Sequence, residues 1–192
     1  MTNRIYVADL ASYNNGILHG AWIDATSDAD EMQEKVNEIL RASRFPNVMV
    51  EFEGKQVPSA EEFAIHDFEG EALKGLREYC GLAAVAARVE LDEIAEDELG
   101  SDGLAIVLAY WDNIGMQYMP NDIADAVKQV RGAYCGSFSS WTDWAENYCE
   151  ETGLLDSIPE NLRYYFDFEA YGRDARCNGD IFENEGHFFY SR

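Results

Sequence analysis

The stretch SIPENLRYYFDFEAYGRD, residues 157–174, mixes aromatic rings with charges of both signs. It contains five aromatic residues, four acids and two arginines, and neither lysine nor histidine. Ser157 and Glu160 have the spacing of a capping box, with Pro159 in the first turn. The pattern predicts one amphipathic helix that ends at Gly172, and the apolar face of this helix consists of Leu162, Phe166 and Ala170.

The sequence on either side of this stretch predicts a small α+β domain over residues 131–192. GAYCGSF reads as a strand, and Ser139 or Ser140 then opens a helix that Gly153 stops. After residue 174, DIFENEGHFFYSR predicts a hairpin around Glu185-Gly186.

Residues 71–130 are richer in alanine and leucine and predict a mainly helical middle domain. EALKGLREYCGLAAVAARV and VELDEIAEDELG are two helix candidates, the second ending at Gly100. GLAIVLAYWDNIG is compatible with a buried helix or a strand. Another helix is expected after Pro120, capped by Asn121 or Asp122.

Residues 1–70 predict an antiparallel sheet with one helix. RIYVADL and ILHGAWI read as strands joined by a tight turn at Asn15-Gly16. Ser27 is the expected N-cap of the helix over 27–43, and strands follow at 47–54 and 61–70. The predicted fold is therefore α+β, an elongated chain of three small domains with boundaries near residues 70 and 130.

Net charge is the most unusual property of the composition. The 192 residues include 37 acids and 14 basic residues, a formal charge of −23, while 47% are hydrophobic and suffice for a core. Such a surface repels nucleic acid and anionic lipid, so neither is an expected partner. No apolar run is long enough for a membrane span and no export signal is evident, so a cytoplasmic location is expected.

The sequence contains no motif that points to catalysis or to a cofactor. The histidines (His19, His66, His187) lie beside apolar residues, and the four cysteines lack a C-x-x-C spacing, so free thiols and no metal site are expected. Among so many acids some pair fits any spacing rule, which leaves an acidic hydrolase with a carboxylate pair as an alternative. A non-enzymatic protein is the preferred interpretation.

The acids are distributed along the whole chain. Residues 89–103 hold seven acids and no base, residues 51–71 seven acids and one lysine, and residues 143–169 eight acids and one arginine. A solvated or halophilic surface, or a generic acidic interaction protein, would explain this pattern. A surface that imitates nucleic acid would explain it too, since 23 charges match roughly 40 Å of duplex, and a dimer roughly 80 Å.

Residues 155–174 resemble the antirestriction motif of the ArdA-type antirestriction proteins, a family of DNA mimics. The opening IYVADLASYNNGILHGAWID and the segments EEFAIHDFEG and ENYCEETG are similar to further landmarks of that family, whereas residues 71–130 show little similarity. The motif residues are Leu155, Pro159, Leu162, Tyr165, Asp167, Glu169, Arg173 and Asp174.

The resemblance implies an inhibitor that binds Type I restriction–modification enzymes in place of DNA, without a cofactor. Such proteins are elongated homodimers, typically encoded on plasmids and conjugative elements. The motif is then expected near the dimer junction, with Leu162, Tyr165 and Phe166 packed and Asp167 and Glu169 displaying charge. The acids expected to replace phosphates are Glu61, Glu62, Asp67, Glu69, Glu90, Asp92, Glu93, Glu96, Asp97, Glu98, Asp143, Glu146, Glu150 and Glu151.

Overall fold

Helices and small antiparallel sheets alternate along the chain, which confirms the predicted α+β class. The computed structural model describes residues 2–43, 49–52, 55–58 and 62–191. The chain divides into two compact units, residues 1–94 (unit 1) and residues 95–192 (unit 2). The division into three domains, with boundaries at 70 and 130, stays a prediction.

Unit 1 is built around a three-stranded antiparallel sheet. Its elements up to residue 69 are β1 (Arg4–Asp9), α1 (Leu10–Asn14), β2 (Gly20–Asp24), α2 (Ala29–Arg41), β3 (Met49–Phe52), β4 (Lys55–Pro58) and β5 (Phe63–Glu69). Strand β1 lies between β2 and β5, and β3 pairs with β4 in a separate two-stranded ribbon. Helix α2 is capped by Asp28 and not by Ser27. Of the apolar stripe that its helical spacing predicts, Met32, Val36 and Leu40 are buried and Ile39 is half-buried.

The connection from β1 to β2 differs from the predicted tight hairpin. A short helix, α1, precedes the turn at Asn15-Gly16, because the Asp9 side chain accepts a hydrogen bond from the Ala11 amide and caps the helix. The carboxylate of Asp9 also accepts hydrogen bonds from Ser12 Oγ (2.6 Å) and Ser43 Oγ (2.5 Å). Asp9 is fully buried and joins β1, α1 and the residues after α2.

The helices predicted over 71–89 and 89–100 were placed partly wrongly. Residues Glu71–Leu73 form a 3₁₀ turn, and a single helix, α3, then runs over Leu82–Leu99. The boundary between the units falls inside α3. The predicted stop is confirmed, since Gly100 has a φ of 84°, a conformation that glycine adopts without steric cost.

Unit 2 combines helices with a second three-stranded sheet. After α3 its elements are α4 (Gly103–Asn113), α5 (Ile123–Ala133), β6 (Tyr134–Ser137), α6 (Trp141–Thr152), α7 (Glu160–Arg163), α8 (Phe168–Asn178), β7 (Ile181–Asn184) and β8 (His187–Tyr190). Strand β8 lies between β6 and β7, and all pairings are antiparallel. The ambiguous segment GLAIVLAYWDNIG is the buried helix α4.

Aromatic side chains dominate the core of unit 2. Trp144, Ala145, Ile181 and Phe188 form a buried cluster, and rings from α6 and α8 pack on it. The hairpin of β7 and β8 turns at Glu185-Gly186, both with positive φ, as this dipeptide predicts. Ser140 caps α6, and Gly153 ends it in the left-handed conformation, so both predictions for α6 are confirmed.

The helix predicted over residues 157–172 is in fact two helices. Helix α7 is a single turn whose N-cap, Pro159, makes no side-chain capping bond, and α8 starts anew because Asp167 accepts a hydrogen bond from the Ala170 amide. Gly172 does not end a helix but lies buried within α8, and Gly179 ends it. A β-carbon at Gly172 would lie 2.5 Å from the Trp141 carbonyl oxygen, so glycine permits close packing of α6 and α8.

Candidate functional site

The antirestriction motif runs from the end of α6, through α7, into α8. Leu155 is half-buried and the other motif residues are exposed. Leu162 and Tyr165, which were expected to pack, are 50% and 78% exposed within this chain. Phe166 does pack, with its ring centroid 5.0 Å from that of Phe168 and 5.8 Å from that of Tyr171.

Arg163 fixes the conformation of the turn before α7, although it is not a motif residue. Its guanidinium donates hydrogen bonds to the carbonyl oxygens of Ile158 (3.0 Å) and Asp156 (3.1 Å) and lies 3.3 Å from an Asp156 carboxylate oxygen. Backbone carbonyls that no helix or sheet pairs are thereby satisfied. Arg163 therefore positions α7 and the side chains that α7 displays.

The charged residues of the motif fall into two groups. Asp167 has a structural role as the N-cap of α8, and Glu169 follows it in the first turn, where the helix dipole favours an acid. Arg173 and Asp174 are exposed residues of α8, with 3.8 Å between Arg173 Nε and an Asp174 carboxylate oxygen. Such an exposed pair contributes little to stability.

Large apolar side chains are exposed around α7. Leu154 is 44% exposed and Tyr164 89% exposed, in addition to Leu162 and Tyr165. We call these four residues the α7 apolar surface. The rings of Tyr164 and Tyr165 contact each other edge to face, with centroids 5.7 Å apart. Exposed apolar side chains are candidates for an interaction surface where they form a contiguous patch.

Most acids that were predicted to replace phosphates do face solvent. Glu61 lies outside the described residues. Asp92 and Glu98 are half-buried, and the other acids of the set are exposed: Glu62, Asp67, Glu69, Glu90, Glu93, Glu96, Asp97, Asp143, Glu146, Glu150 and Glu151. The charge is divided almost evenly, with 18 acidic and 8 basic residues in unit 1 and 19 and 6 in unit 2.

Some of these acids have partners inside the protein. Glu69 accepts hydrogen bonds from the Arg4 guanidinium at 3.1 Å and 2.5 Å, and Glu98 lies 2.5 Å from Arg131. Asp143 accepts hydrogen bonds from the amide and hydroxyl of Ser139 at the start of α6. These acids have structural roles in addition to the charge that they display.

Helix α6 presents a continuous acidic face. Asp143, Glu146 and Glu150 are spaced three and four residues apart, so they follow one another on the same side of the helix. Glu151 adjoins them. The opposite side of α6 buries Trp144, Ala145 and Cys149, which fixes the acidic face toward solvent.

The sequence interpretation missed a cavity of about 300 Å³ in unit 2. Rings of Trp144, Tyr148 and Tyr171 line it together with the motif residue Asp174. The helical spacings of Trp144 and Tyr148 in α6, and of Tyr171 and Asp174 in α8, indicate one shared face per helix. They do not indicate that the two faces meet, which only the fold shows.

In the described part of the chain, no group of three or more histidine, cysteine or acidic side chains is arranged to hold a metal ion. No helix within the same residues is long and apolar enough to cross a membrane. The four cysteines (Cys80, Cys135, Cys149, Cys177) are free thiols.

Comparison with protein families identifies the chain. The model of one family, described as antirestriction protein (ArdA), matches residues 5–190 of 192. A comparison with curated proteins found no match. The family match spans both units and includes residues 71–130, which contain few of the family's landmarks. The chain therefore belongs to the ArdA family of antirestriction proteins.

Proposed function

We propose that this protein inhibits Type I restriction–modification enzymes by occupying the surface on which they bind DNA. The observation that supports this proposal best is the acidic face of α6, whose carboxylates are exposed and held in order by a buried opposite side. In this mechanism, carboxylates take the place of phosphates and contact lysine and arginine side chains of the enzyme. No bond is made or broken, so the protein acts without a cofactor.

The spacing on α6 is compatible with imitation of one DNA strand. From Asp143 to Glu146 the helix rises about 4.5 Å, and from Glu146 to Glu150 about 6 Å. A strand of B-form DNA carries one charge per about 3.4 Å of axis. The carboxylates of α6 therefore provide somewhat more than half the linear charge density of a strand, and acids elsewhere on the chain add to it.

Charge imitation predicts a characteristic response to salt. Exposed carboxylates act together and are screened beyond a Debye length of about 8 to 10 Å at physiological ionic strength. Binding to a basic groove releases counterions, chiefly from the mimic. We therefore expect affinity to fall steeply with salt and to depend little on any single carboxylate.

We further propose that the protein acts as an elongated homodimer that buries the α7 apolar surface. Leu162 and Tyr165 are then the packed residues of the predicted dimer junction, and their exposure in a single chain is explained. Two copies bring a formal charge of about twice −23 to one enzyme. The same DNA-binding core serves cleavage and methylation, so we expect both restriction and modification to be inhibited.

Competition with DNA tests the main proposal. A fluorescent duplex is bound to a purified Type I methyltransferase core, and the protein is added at several salt concentrations. We expect displacement at low salt and an apparent affinity that falls by orders of magnitude between 50 and 200 mM salt. Affinity that does not change with salt would exclude charge imitation, and binding of the protein to the duplex itself would exclude competition for the enzyme.

Sedimentation tests the dimer. We expect Tyr165→Asp combined with Leu162→Asp to give a monomer, because two carboxylates would be placed in an apolar contact. Tyr118→Asp is the matched control, since Tyr118 is a similarly exposed tyrosine of unit 2 outside the α7 apolar surface. If both variants remained dimeric, the contact would lie elsewhere. Small-angle scattering of the wild-type protein tests whether the particle is extended.

A further inference from the structure

The cavity in unit 2 has an apolar inner part and an acidic rim. The two buried residues that line it are Trp144 and Ile181, whereas Asp174, Asn178 and Asp180 are exposed. Its volume of about 300 Å³ is at the lower end of the range for small-ligand sites. The complete lining is Trp144, Tyr148, Tyr171, Asp174, Ala175, Asn178, Asp180, Ile181 and Tyr190.

Three of the aromatic rings that line this cavity are nearly parallel. The Trp144 and Tyr171 planes differ by 10°, with centroids 6.3 Å apart, and the Tyr148 plane lies within 26° of both. The centroids of Trp144 and Tyr148 are 5.2 Å apart. Because the rings stack on one another and Trp144 is only 3% exposed, the half-buried Tyr148 and Tyr171 are the rings that a ligand can reach. Aromatic faces carry negative electrostatic potential and favour a cation.

The polar groups of the lining favour the same kind of ligand. Asp174 and Asp180 supply carboxylates, and Asn178 supplies an amide. None of the lining side chains is basic. Arg173 lies next to Asp174 in the sequence, and its side chain is 64% exposed. The shortest distance from its guanidinium to an Asp174 carboxylate oxygen is 3.8 Å, which is long for an ion pair, so Arg173 neutralises Asp174 only weakly. A ligand cation therefore meets aromatic faces and carboxylate oxygens together.

We propose that this cavity binds the guanidinium group of an arginine side chain presented by a protein partner. Arginine fits better than lysine, because a planar guanidinium stacks on aromatic rings while its N–H groups donate to carboxylates at the edge. The inference rests on the proposed function, since a DNA-binding surface is the partner that presents exposed arginines. It gives Asp174 of the antirestriction motif a direct role in recognition.

A titration with a model compound tests the cavity alone. N-acetyl-arginine methylamide is added to the ¹⁵N-labelled protein, and the indole N–H of Trp144 and the amides of Tyr171 and Asn178 are followed. We expect saturable shifts at roughly millimolar concentrations. The control compound is N-acetyl-citrulline methylamide, which has nearly the same shape without the charge. Equal shifts from the two compounds, or shifts that do not saturate, would contradict the proposal.

Charge-removing variants separate the cavity from general attraction to acids. We expect Asp174→Asn to weaken binding of the arginine compound about fivefold or more. Glu169→Gln is the matched control, because Glu169 is an exposed motif acid of the same helix that does not line the cavity. We expect less than about twofold change for this control. A similar loss in both variants would mean that the compound responds only to the net charge.

Competition on the methyltransferase core identifies the source of the arginine. Asp174→Asn with Asp180→Asn is compared with Glu146→Gln and Glu150→Gln, which removes the same charge from α6. We expect the cavity variant to displace DNA several-fold less well than the α6 variant. Equal displacement by the two would overturn the assignment to the enzyme, whereas wild-type protein that displaces no DNA would overturn the proposed function itself.

Discussion

Asp9 in unit 1 and the acidic face of α6 in unit 2 show how differently carboxylates are used in one strongly acidic protein. Asp9 is fully buried and accepts hydrogen bonds from two hydroxyls and from backbone amides. Glu146 and Glu150 project into solvent. A single buried carboxylate with several donors contributes strongly to stability, whereas exposed carboxylates act weakly, collectively and through a screened field.

The environment of Asp9 also sets its protonation. Burial acts to raise the pKa of Asp9, but the hydrogen bonds from Ser12, Ser43 and the Ala11 and Ser12 amides outweigh it, so the pKa is lowered. The carboxylate therefore remains ionised inside the protein. Charge at Asp9 stabilises the fold, whereas the exposed acids of α6 repel one another.

The largest expected effect is the loss of the Asp9 carboxylate. Asp9→Ala removes the acceptor that the Ser12 and Ser43 hydroxyls share with the amides at the start of α1, although the two hydroxyls are 3.2 Å apart and can still bond to each other. We expect the free energy of unfolding to fall by about 3 kcal/mol. Urea denaturation measures it. Asp28→Ala is the matched control, because Asp28 also caps a helix but is exposed, and about 1 kcal/mol is expected there. Equal losses would mean that burial adds nothing to the capping role.

The next effect is a dependence of that contribution on pH. The pKa of Asp9 is lower in the folded state than in the unfolded state, so the ionised carboxylate stabilises the fold fully at pH values above its unfolded-state pKa of about 4. This stabilisation is lost as the pH falls through the folded-state pKa. We expect Asp9→Asn to cost about 1 to 2 kcal/mol at pH 7.

Denaturation of both proteins between pH 7 and pH 3 tests this expectation. The difference in the free energy of unfolding between wild type and Asp9→Asn should decrease only below about pH 4. A difference in the free energy of unfolding that instead increases as the pH falls from about 6 to about 4 would show that the pKa of Asp9 is raised. A difference in the free energy of unfolding that stays constant down to pH 3 would show that ionisation of Asp9 contributes nothing to stability.

Asp9 also illustrates what the sequence does not predict. Asn15-Gly16 is a correct turn signal, and the strands on either side pair as expected. The helix between them depends on Asp9 and on Ser43, 34 residues away, a contact that no local pattern encodes. The dipeptide Glu185-Gly186 predicted its hairpin correctly, because a two-residue turn is determined by its own backbone conformations.

The motif segment shows the same limit in unit 2. Ser157, Pro159 and Glu160 gave a strong local signal for one helix, but Asp167 caps a second helix and interrupts the first. Gly172 was interpreted as a helix stop, although its role is close packing against Trp141. Exposure of the α6 acids followed from helical spacing, whereas the aromatic cavity depends on α6, α8 and β8 meeting in three dimensions.

A smaller effect should separate the two regions by their response to salt. Mutual repulsion of exposed acids is screened as salt rises from about 0.05 to 0.5 M, so we expect wild-type stability to increase by about 1 kcal/mol. The difference between wild type and Asp9→Ala should not change over this range, because the bonds of Asp9 are buried. A difference that shrinks with salt would place Asp9 among the screened surface charges.

The smallest effect is expected for one acid of α6. Glu146→Gln removes an exposed charge with the shape retained, so stability should change by less than about 0.5 kcal/mol. Displacement of DNA from a methyltransferase core should change by less than about twofold. Because the field is collective, Glu146→Gln, Glu150→Gln and Glu151→Gln together should weaken displacement more than any one of them and reduce its salt dependence. If Glu146→Gln alone weakened DNA displacement as much as the triple variant, the enzyme would recognise individual carboxylates of α6 and not their combined charge.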